Sequence, residues 1–368
     1  MNIQLLQENF LRALTRVGRI VSPRPQLPVL QLIKLSAKKD GLEISATNME
    51  TSETVWVGGK VEKEGELCVS AKVLTEFVTS LPNESVHLSV DEAALHVSCQ
   101  GFRAVLPGTP AAEYPPIAPV QKKDSAAIEK QQLMKAVSSV LFSAATDEGR
   151  PLLTGVRVLT DGGETVFAAT DGYRLSVKRE AIVVEGLSGA VVPAKALHEI
   201  VKIAAEEKDE KSIHIGGAGG NQAGFVIGDT TLLTRLLDGE YPSFDRIIPK
   251  SFTTRALIDK ELFFRAVRSA AIFARDNANI IRLTLDKQKI VVSANAPQVG
   301  ENKIELEAKI DGDGGEIAFN SRFLLDFLTN FPDDEVLFEM TGALNPGVFR
   351  PVKDESFLHI IMPVRVQS

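Results

Sequence analysis

A short apolar run, a turn, a basic residue and an amphipathic helical pattern follow one another in Leu67–Pro82 (LCVSAKVLTEFVTSLP). The same order returns at Ala190–Glu206 (AVVPAKALHEIVKIAAE) and at Ile317–Pro332 (IAFNSRFLLDFLTNFP). The basic residues are Lys72, Lys195 and Arg322, spaced by 123 and 127 residues. A leucine follows each by two positions (Leu74, Leu197, Leu324) and an acid by four (Glu76, Glu199, Asp326). Self-similarity at a nearly fixed period indicates repeated structural units.

A second helical pattern opens each unit. In Glu8–Ile20, Leu11, Leu14 and Val17 fall on one face at helical spacing, and Arg12, Arg16 and Arg19 on another. Ile128–Ala144 and Asp259–Ala274 align with it, and Arg12, Lys135 and Arg265 share one position at offsets of 123 and 130. Between the helices the pattern shortens to strands and hairpins: Leu30–Ser36 with Leu42–Ala46, Val86–Val90 with Ala94–Cys99, then 101–106. The second unit repeats this with strands at 156–159, 165–169, 182–184, 213–215, 224–227 and 231–236. The third has them at 281–285, 289–293, 303–308, 336–340, 347–351 and 357–362. Glu113-Tyr114-Pro115 closes the first unit and Glu240-Tyr241-Pro242 the second. Each unit therefore holds two helices and roughly eight short strands, with one strand ahead of its first helix. Two amphipathic helices need a sheet face to cover them, so the fold class is α+β with antiparallel sheets.

Composition narrows the function. The 368 residues are 44% hydrophobic and 24% charged, as in an ordinary soluble globular protein. No apolar run approaches the roughly 18 residues of a membrane span, and MNIQLLQENF lacks the pattern of a signal peptide. Cys68 and Cys99 lie in strand-like apolar runs and read as buried reduced thiols, which fits a cytoplasmic location. The net charge of −7 excludes a protein that coats nucleic acid over its whole surface, but not a local basic face.

For one helix, a basic residue with an acid four positions on is an ordinary solvated face. Recurrence at one slot in every unit points instead to six helices that present cations to a common anionic object. A phosphate backbone meets that need without sequence reading. Enzyme chemistry is poorly supported. Gly216-Gly217-Ala218-Gly219-Gly220 lacks a Gly-Lys-Ser/Thr end and reads as a hairpin turn. His87, His96, His198, His214 and His359 show no metal-ligand spacing. Asp171 has no partner base and reads as a turn former. No cofactor and no metal are expected.

Four further segments carry a family resemblance: Arg24–Leu30 (RPQLPVL), Ala169–Leu175 (ATDGYRL), Leu237–Pro249 (LDGEYPSFDRIIP) and Met362–Arg365 (MPVR). In this order on a threefold repeat, over the full length, the chain resembles the bacterial DNA sliding clamp, the beta subunit of DNA polymerase III. The resemblance implies three domains of the DNA-clamp fold, at 1–120, 121–250 and 251–368, each with two inner helices and outer antiparallel sheets. It implies a head-to-tail homodimer closed as a ring around duplex DNA, acting as a non-enzymatic processivity factor. The alternatives are a clamp paralogue dedicated to one specialised client, or a repeat-built enzyme with an active site between units.

By the same resemblance, DNA would be met by Arg24 and Arg150, beside the helix positions Arg12, Lys72, Lys135, Lys195, Arg265 and Arg322. A cleft between the second and third domains would take short peptide motifs of the polymerase III catalytic subunit, the clamp loader, other polymerases and repair proteins. Its lining would be Leu153, Thr170, Gly172, Tyr173, Arg174, Leu175, Pro242, Arg246, Ile247, Ile360, Met362, Pro363, Val364 and Arg365. Tyr173 stands where histidine is familiar and Asp245 where a second basic residue often stands, so the rim is expected to be larger and less positive. Val366-Gln367-Ser368 extend past the family's usual end. The dimer seam would use Leu106, Ile272 and Phe273, with Ala104 smaller than the common aromatic.

Overall fold

The computed structural model describes residues 1–25, 27–120, 125–217, 219–275, 277–296 and 300–365. Ala218 of the glycine run and the extension Val366-Gln367-Ser368 lie outside the described residues. Six α-helices occur among them: α1 (Gln7–Gly18), α2 (Ala71–Thr79), α3 (Lys130–Leu141), α4 (Ala194–Glu206), α5 (Lys260–Ala274) and α6 (Ser321–Asn330). A strand precedes the first helix of each repeat, at Asn2–Leu6, Ala126–Glu129 and Thr254–Asp259. Two of the second helices, α2 and α6, start where a short polar side chain caps the backbone. Ser70 Oγ accepts from Val73 N in α2, and Asn320 Oδ1 accepts from Arg322 N in α6. None of these helices is long and apolar enough to cross a membrane.

The backbone gathers into two compact units, and the middle repeat contributes to both. One unit comprises 1–130, 184–187 and 198–236. Its strands form one 13-stranded sheet, in which Thr230–Arg235 of the middle repeat pairs antiparallel with Thr51–Gly58 of the first. The sheet thus runs from one repeat into the next by strand addition, which satisfies backbone groups that would otherwise form an exposed edge. α1 packs on the core through Phe10, Ala13, Leu14 and Val17. Leu11, expected on the inner face, is only partly buried, because the buried stripe starts at Phe10. Arg16, expected on a cationic face, is 1% exposed. Its Nε lies 2.7 Å from Glu206, and its Nη1 lies 2.6 Å from Glu207 and 2.9 Å from Thr230 Oγ1. Arg19 lies 2.5 Å from Glu199 and 2.9 Å from Glu206. Beside them Glu53 is fully buried, and burial, together with the charge of Glu199, pushes its carboxyl up to about 8.

Tyr114 closes the first repeat. Its hydroxyl donates to Leu32 O at 3.2 Å and accepts from Thr47 N at 3.1 Å, and burial pushes its phenol up to about 12. Cys68 and Cys99 are free and buried, and burial pushes the Cys68 thiol up to about 11.

The other unit comprises 131–183, 188–197 and 237–368. Its nine-stranded sheet joins the middle repeat to the last where Arg174–Glu180 pairs with Phe357–Ile361. A four-stranded sheet, ordered 300–307, 289–296, 280–286 and 315–320, completes the third repeat. Phe319, Phe327, Phe338 and Phe349 fill the core. A Cβ on Gly347 would stand 2.4 Å from the Phe319 ring, so only glycine lets this strand approach. His359 is wholly buried, stacked 4.8 Å from the Phe327 ring, and its Nδ1 lies 2.8 Å from Ser176 Oγ, which lies 2.7 Å from Ser143 Oγ.

One expected strand is corrected: 182–184 is not a strand, and the chain extends at Arg174–Glu180 instead. Ser176 and Lys178 conceal this strand in the sequence, since both are polar yet buried. Lys178 tolerates burial because Nζ reaches Asp354 at 2.9 Å and Glu180 at 3.3 Å and also bonds Ser356.

Candidate functional site

The ATDGYRL segment forms a tight turn between two strands. Asp171 Oδ1 accepts from Tyr173 N at 2.8 Å and Arg174 N at 3.0 Å, which makes Asp171 the turn former the sequence indicates. Gly172 has φ +92°, and a Cβ there would stand 2.6 Å from the Arg150 guanidinium. Arg150 donates to Asp171 O at 2.8 Å, and its guanidinium carbon lies 5.9 Å from the Tyr173 ring centroid. Arg150, grouped in the sequence with the DNA contacts, therefore stands at this turn. Tyr173 is 59% exposed and lies stacked 6.3 Å from Phe323 of α6.

The C-terminal segment is held against the same turn. Met362 N donates to Tyr173 O at 2.8 Å and Val364 N to Ala318 O at 2.8 Å. The first bond extends the pairing of Arg174–Glu180 with Phe357–Ile361, the second ties the segment to the 315–320 strand, and together they bring Met362–Arg365 beside the 170–175 turn. Met362 and Ile247 remain 39% and 42% exposed, and Pro242, Arg246 and Arg365 are exposed as well. Thr170, Pro363 and Val364 are half-buried, and Thr170 Oγ1 donates to Arg174 O at 2.6 Å.

Three expected lining residues are corrected to supports. Leu175 and Ile360 are 2% and 1% exposed, packed with Ala168, Val177 and Val348, and Leu153 is buried against Val191 and Tyr241. Leu175 and Ile360 are cross-strand partners on one inward face, whereas Leu153 is turned inward by the short 3-10 helix Pro151–Thr154. Arg174 is also less free than expected. Its Nε lies 3.1 Å from Asp171 and its Nη1 2.6 Å from Asp326, and its guanidinium covers the Phe323 ring at 4.8 Å. Two carboxylates already use its donors, so it braces α6 against the turn. Phe323 escaped the sequence reading. The signal was present: at the position after the repeated basic residue the other copies carry Val73 and Ala196, and only the third has an aromatic ring.

The repeated helix cations are all exposed. Lys72 lies 4.0 Å from Glu76, Lys135 3.9 Å from Asp354, Lys195 3.1 Å from Glu148 and Arg265 2.9 Å from Glu261. Such surface pairs are worth about 0–1 kcal/mol and yield readily to a stronger anion. Arg12, Arg322 and Arg24 are exposed too. At the expected seam, Leu106 is corrected to a core residue, 4% exposed. Alternation places its neighbour Val105 outward, 62% exposed, with Phe102 also exposed on that strand. Ile272 is 53% exposed, and Phe273 is partly buried against the core of the third repeat.

Three α+β repeats whose six helices each expose a basic side chain, with exposed Tyr173 and Met362 meeting at one turn, have the build of a DNA-clamp subunit. Residues 1–118, 127–243 and 245–365 match the N-terminal, central and C-terminal domains of the DNA polymerase III beta subunit. The chain is 28% identical to the beta sliding clamp of Staphylococcus aureus over 379 aligned positions, covering 99% of each, and equally to that of Staphylococcus epidermidis over 377. The sliding clamp of Bacillus subtilis superposes with a TM-score of 0.93 at 26% identity, and that of Bartonella birtlesii, bound to griselimycin, with 0.93 at 27%, each over the whole of both chains. The chain belongs to the DNA polymerase III beta-subunit family, the bacterial DNA sliding clamps. It is a processivity factor, not an enzyme.

Proposed function

We propose that two copies of this chain join head to tail into a ring around duplex DNA, with domains at 1–120, 121–250 and 251–368. The carrying observation is an exposed basic side chain at one slot of the three first helices, Arg12, Lys135 and Arg265, and at one slot of the three second helices, Lys72, Lys195 and Arg322. Turned toward a shared void, with Arg24 from the loop after α1, they offer loosely held cations to phosphates of any sequence. Contacts of that kind retain DNA yet permit sliding, because no single one is strong or base-specific. The excess acidic charge on the outer faces accounts for the net charge of −7. Phe102, Val105 and Ile272 supply the apolar area for the seam.

The notch of Tyr173, Ile247 and Met362, with Pro242, Pro363 and Val364, takes apolar anchors of short client peptides. Arg150, Arg246 and Arg365 at its rim bond peptide carbonyls or acidic groups. One buried leucine contributes about 1.5–3 kcal/mol, whereas a micromolar complex needs about 8 kcal/mol, so a client engages several anchors. Clients are the polymerase III catalytic subunit, the clamp loader and other polymerases and repair proteins, all in the cytoplasm. The test is mass in solution, together with retention on circular DNA after loading and release when that DNA is cut. A monomer at micromolar concentration, or no retention on the circle, sinks this reading.

A further inference from the structure

A second polar site lies on the same sheet as the notch. A cavity of about 150 Å3 is lined by Lys250, Phe252, Arg255, Glu339, Val348 and Arg350, among others. Three neighbouring strands present an Arg–Glu–Arg set on one face. Arg255 is directly opposite Glu339, and Arg350 is opposite Leu337, two residues along. Glu339 is 4% exposed. Arg255 Nε and Nη2 reach its Oε1 at 2.9 and 2.5 Å, and Arg350 Nη2 reaches its Oε2 at 2.9 Å. Two guanidiniums thus share one carboxylate, and Lys250 adds a third cation to the cavity lining. Arg350 Nε is buried with no hydrogen-bond partner, and the Arg255 guanidinium carbon lies over the Phe252 ring, 4.1 Å from its centroid. The site has one carboxylate in place and an excess of donors for another.

Its position gives the excess a meaning. Arg255, Glu339, Val348, Ile360 and Leu175 are consecutive cross-strand partners, a single row over five strands. Ile360 and Leu175 support the notch, and at about 4.8 Å per strand Glu339 lies roughly 10 Å from Ile360. An extended chain covers that distance in about three residues. We infer that this cavity is a carboxylate subsite for an acidic side chain of a bound client, about three residues from its apolar anchors. The inference rests on the peptide reading of the notch. A carboxylate fits better than a phosphate, because the planar guanidinium forks match it and the resident Glu339 repels a dianion more strongly.

Two measurements on the full chain test this. In the first, sodium acetate is titrated while the Nε–H resonance of Arg350 is followed, assigned by its absence in Arg350→Lys, which keeps the charge opposite Glu339. A saturable shift that equal ionic strength of chloride does not produce is expected. No shift overturns the subsite, and a shift at lower concentrations of inorganic phosphate than of acetate overturns the carboxylate assignment. In the second, a peptide from the polymerase III catalytic subunit is extended at either end with three Asp or three Asn. One Asp extension is expected to bind about five-fold tighter, and Lys250→Gln, an exposed change outside the ion pairs, to reduce that advantage while leaving the Asn peptides unaffected. Equal binding of Asp and Asn forms overturns the proposal. If neither peptide binds, the notch reading falls and the acetate titration alone decides the cavity.

Discussion

Arg174 reaches Asp326 on α6 across 2.6 Å. Asp326 is the acid that stands four residues after the basic residue of the third repeat. Its counterparts differ in partner: Glu76 stays near its own Lys72, at 4.0 Å, whereas Glu199 binds Arg19 of the first repeat at 2.5 Å. In two of three copies, the repeated acid therefore links one repeat to its neighbour rather than its own helix. The link from Arg174 also orients the Tyr173 turn against Phe323, so it bears directly on the notch.

Arg174→Ala is expected to destabilise the fold by about 3 kcal/mol, since it leaves Asp171 without its cation in a largely buried setting. Asp326→Asn is expected to cost about 1 kcal/mol or less, because its carboxylate is half exposed. Urea unfolding of both variants and of the double mutant measures this; equal losses from the two single changes would contradict the ranking.

Met362→Ala is expected to weaken client peptides about five-fold, from roughly 1 kcal/mol of lost apolar contact, without altering the dimer mass. Anisotropy with a polymerase peptide and light scattering check the two parts. Unchanged peptide affinity would show that clients bind elsewhere.

Glu53 gives a pH dependence with a definite sign. Its folded-state value of about 8 exceeds its ordinary 4.5, so between those values the folded chain holds a proton that the unfolded chain has lost. Stability therefore falls as pH rises through that window, by up to about 1.4 kcal/mol per unit. Glu53→Gln is expected to flatten the slope, seen as a melting temperature that declines less between pH 5 and 8.

His359 acts at the acid end. Burial, with the nearby Arg174 charge adding to it, holds the imidazole well below its usual 6.5. Once pH drops below 6.5 the unfolded chain binds a proton that the folded chain refuses, so stability falls with decreasing pH. His359→Gln is expected to remove that acid-side loss; an unchanged acid-side slope in thermal unfolding would rule out His359 as its source.

Charge reversal at Lys72 or Arg265 is expected to shorten retention on circular DNA and to lower the slope of log affinity against log salt by roughly one for each lost phosphate contact. The dimer mass is expected to stay the same. A salt slope equal to that of the unmodified chain would remove these helices from the DNA-contacting surface.

The threefold order, the six helices and the exposed cations were readable from residue spacing, because helix amphipathicity and repetition are local properties of the chain. Arg16, Arg19, Ser176 and Lys178 misled, since their identity suggests solvent while distant carboxylates and hydroxyls neutralise them inside. Leu106 and Val105 are both apolar, and only the register of that strand decides which faces out. The sequence by itself determined the repeats, their class of fold and the slots that carry positive charge. The tertiary structure alone decided that sheets continue from one repeat into the next, which acids bind which arginines, and that Phe323 stands over Tyr173. Those are contacts between residues far apart in the chain, and their pairing depends on strand register and packing rather than on any local pattern.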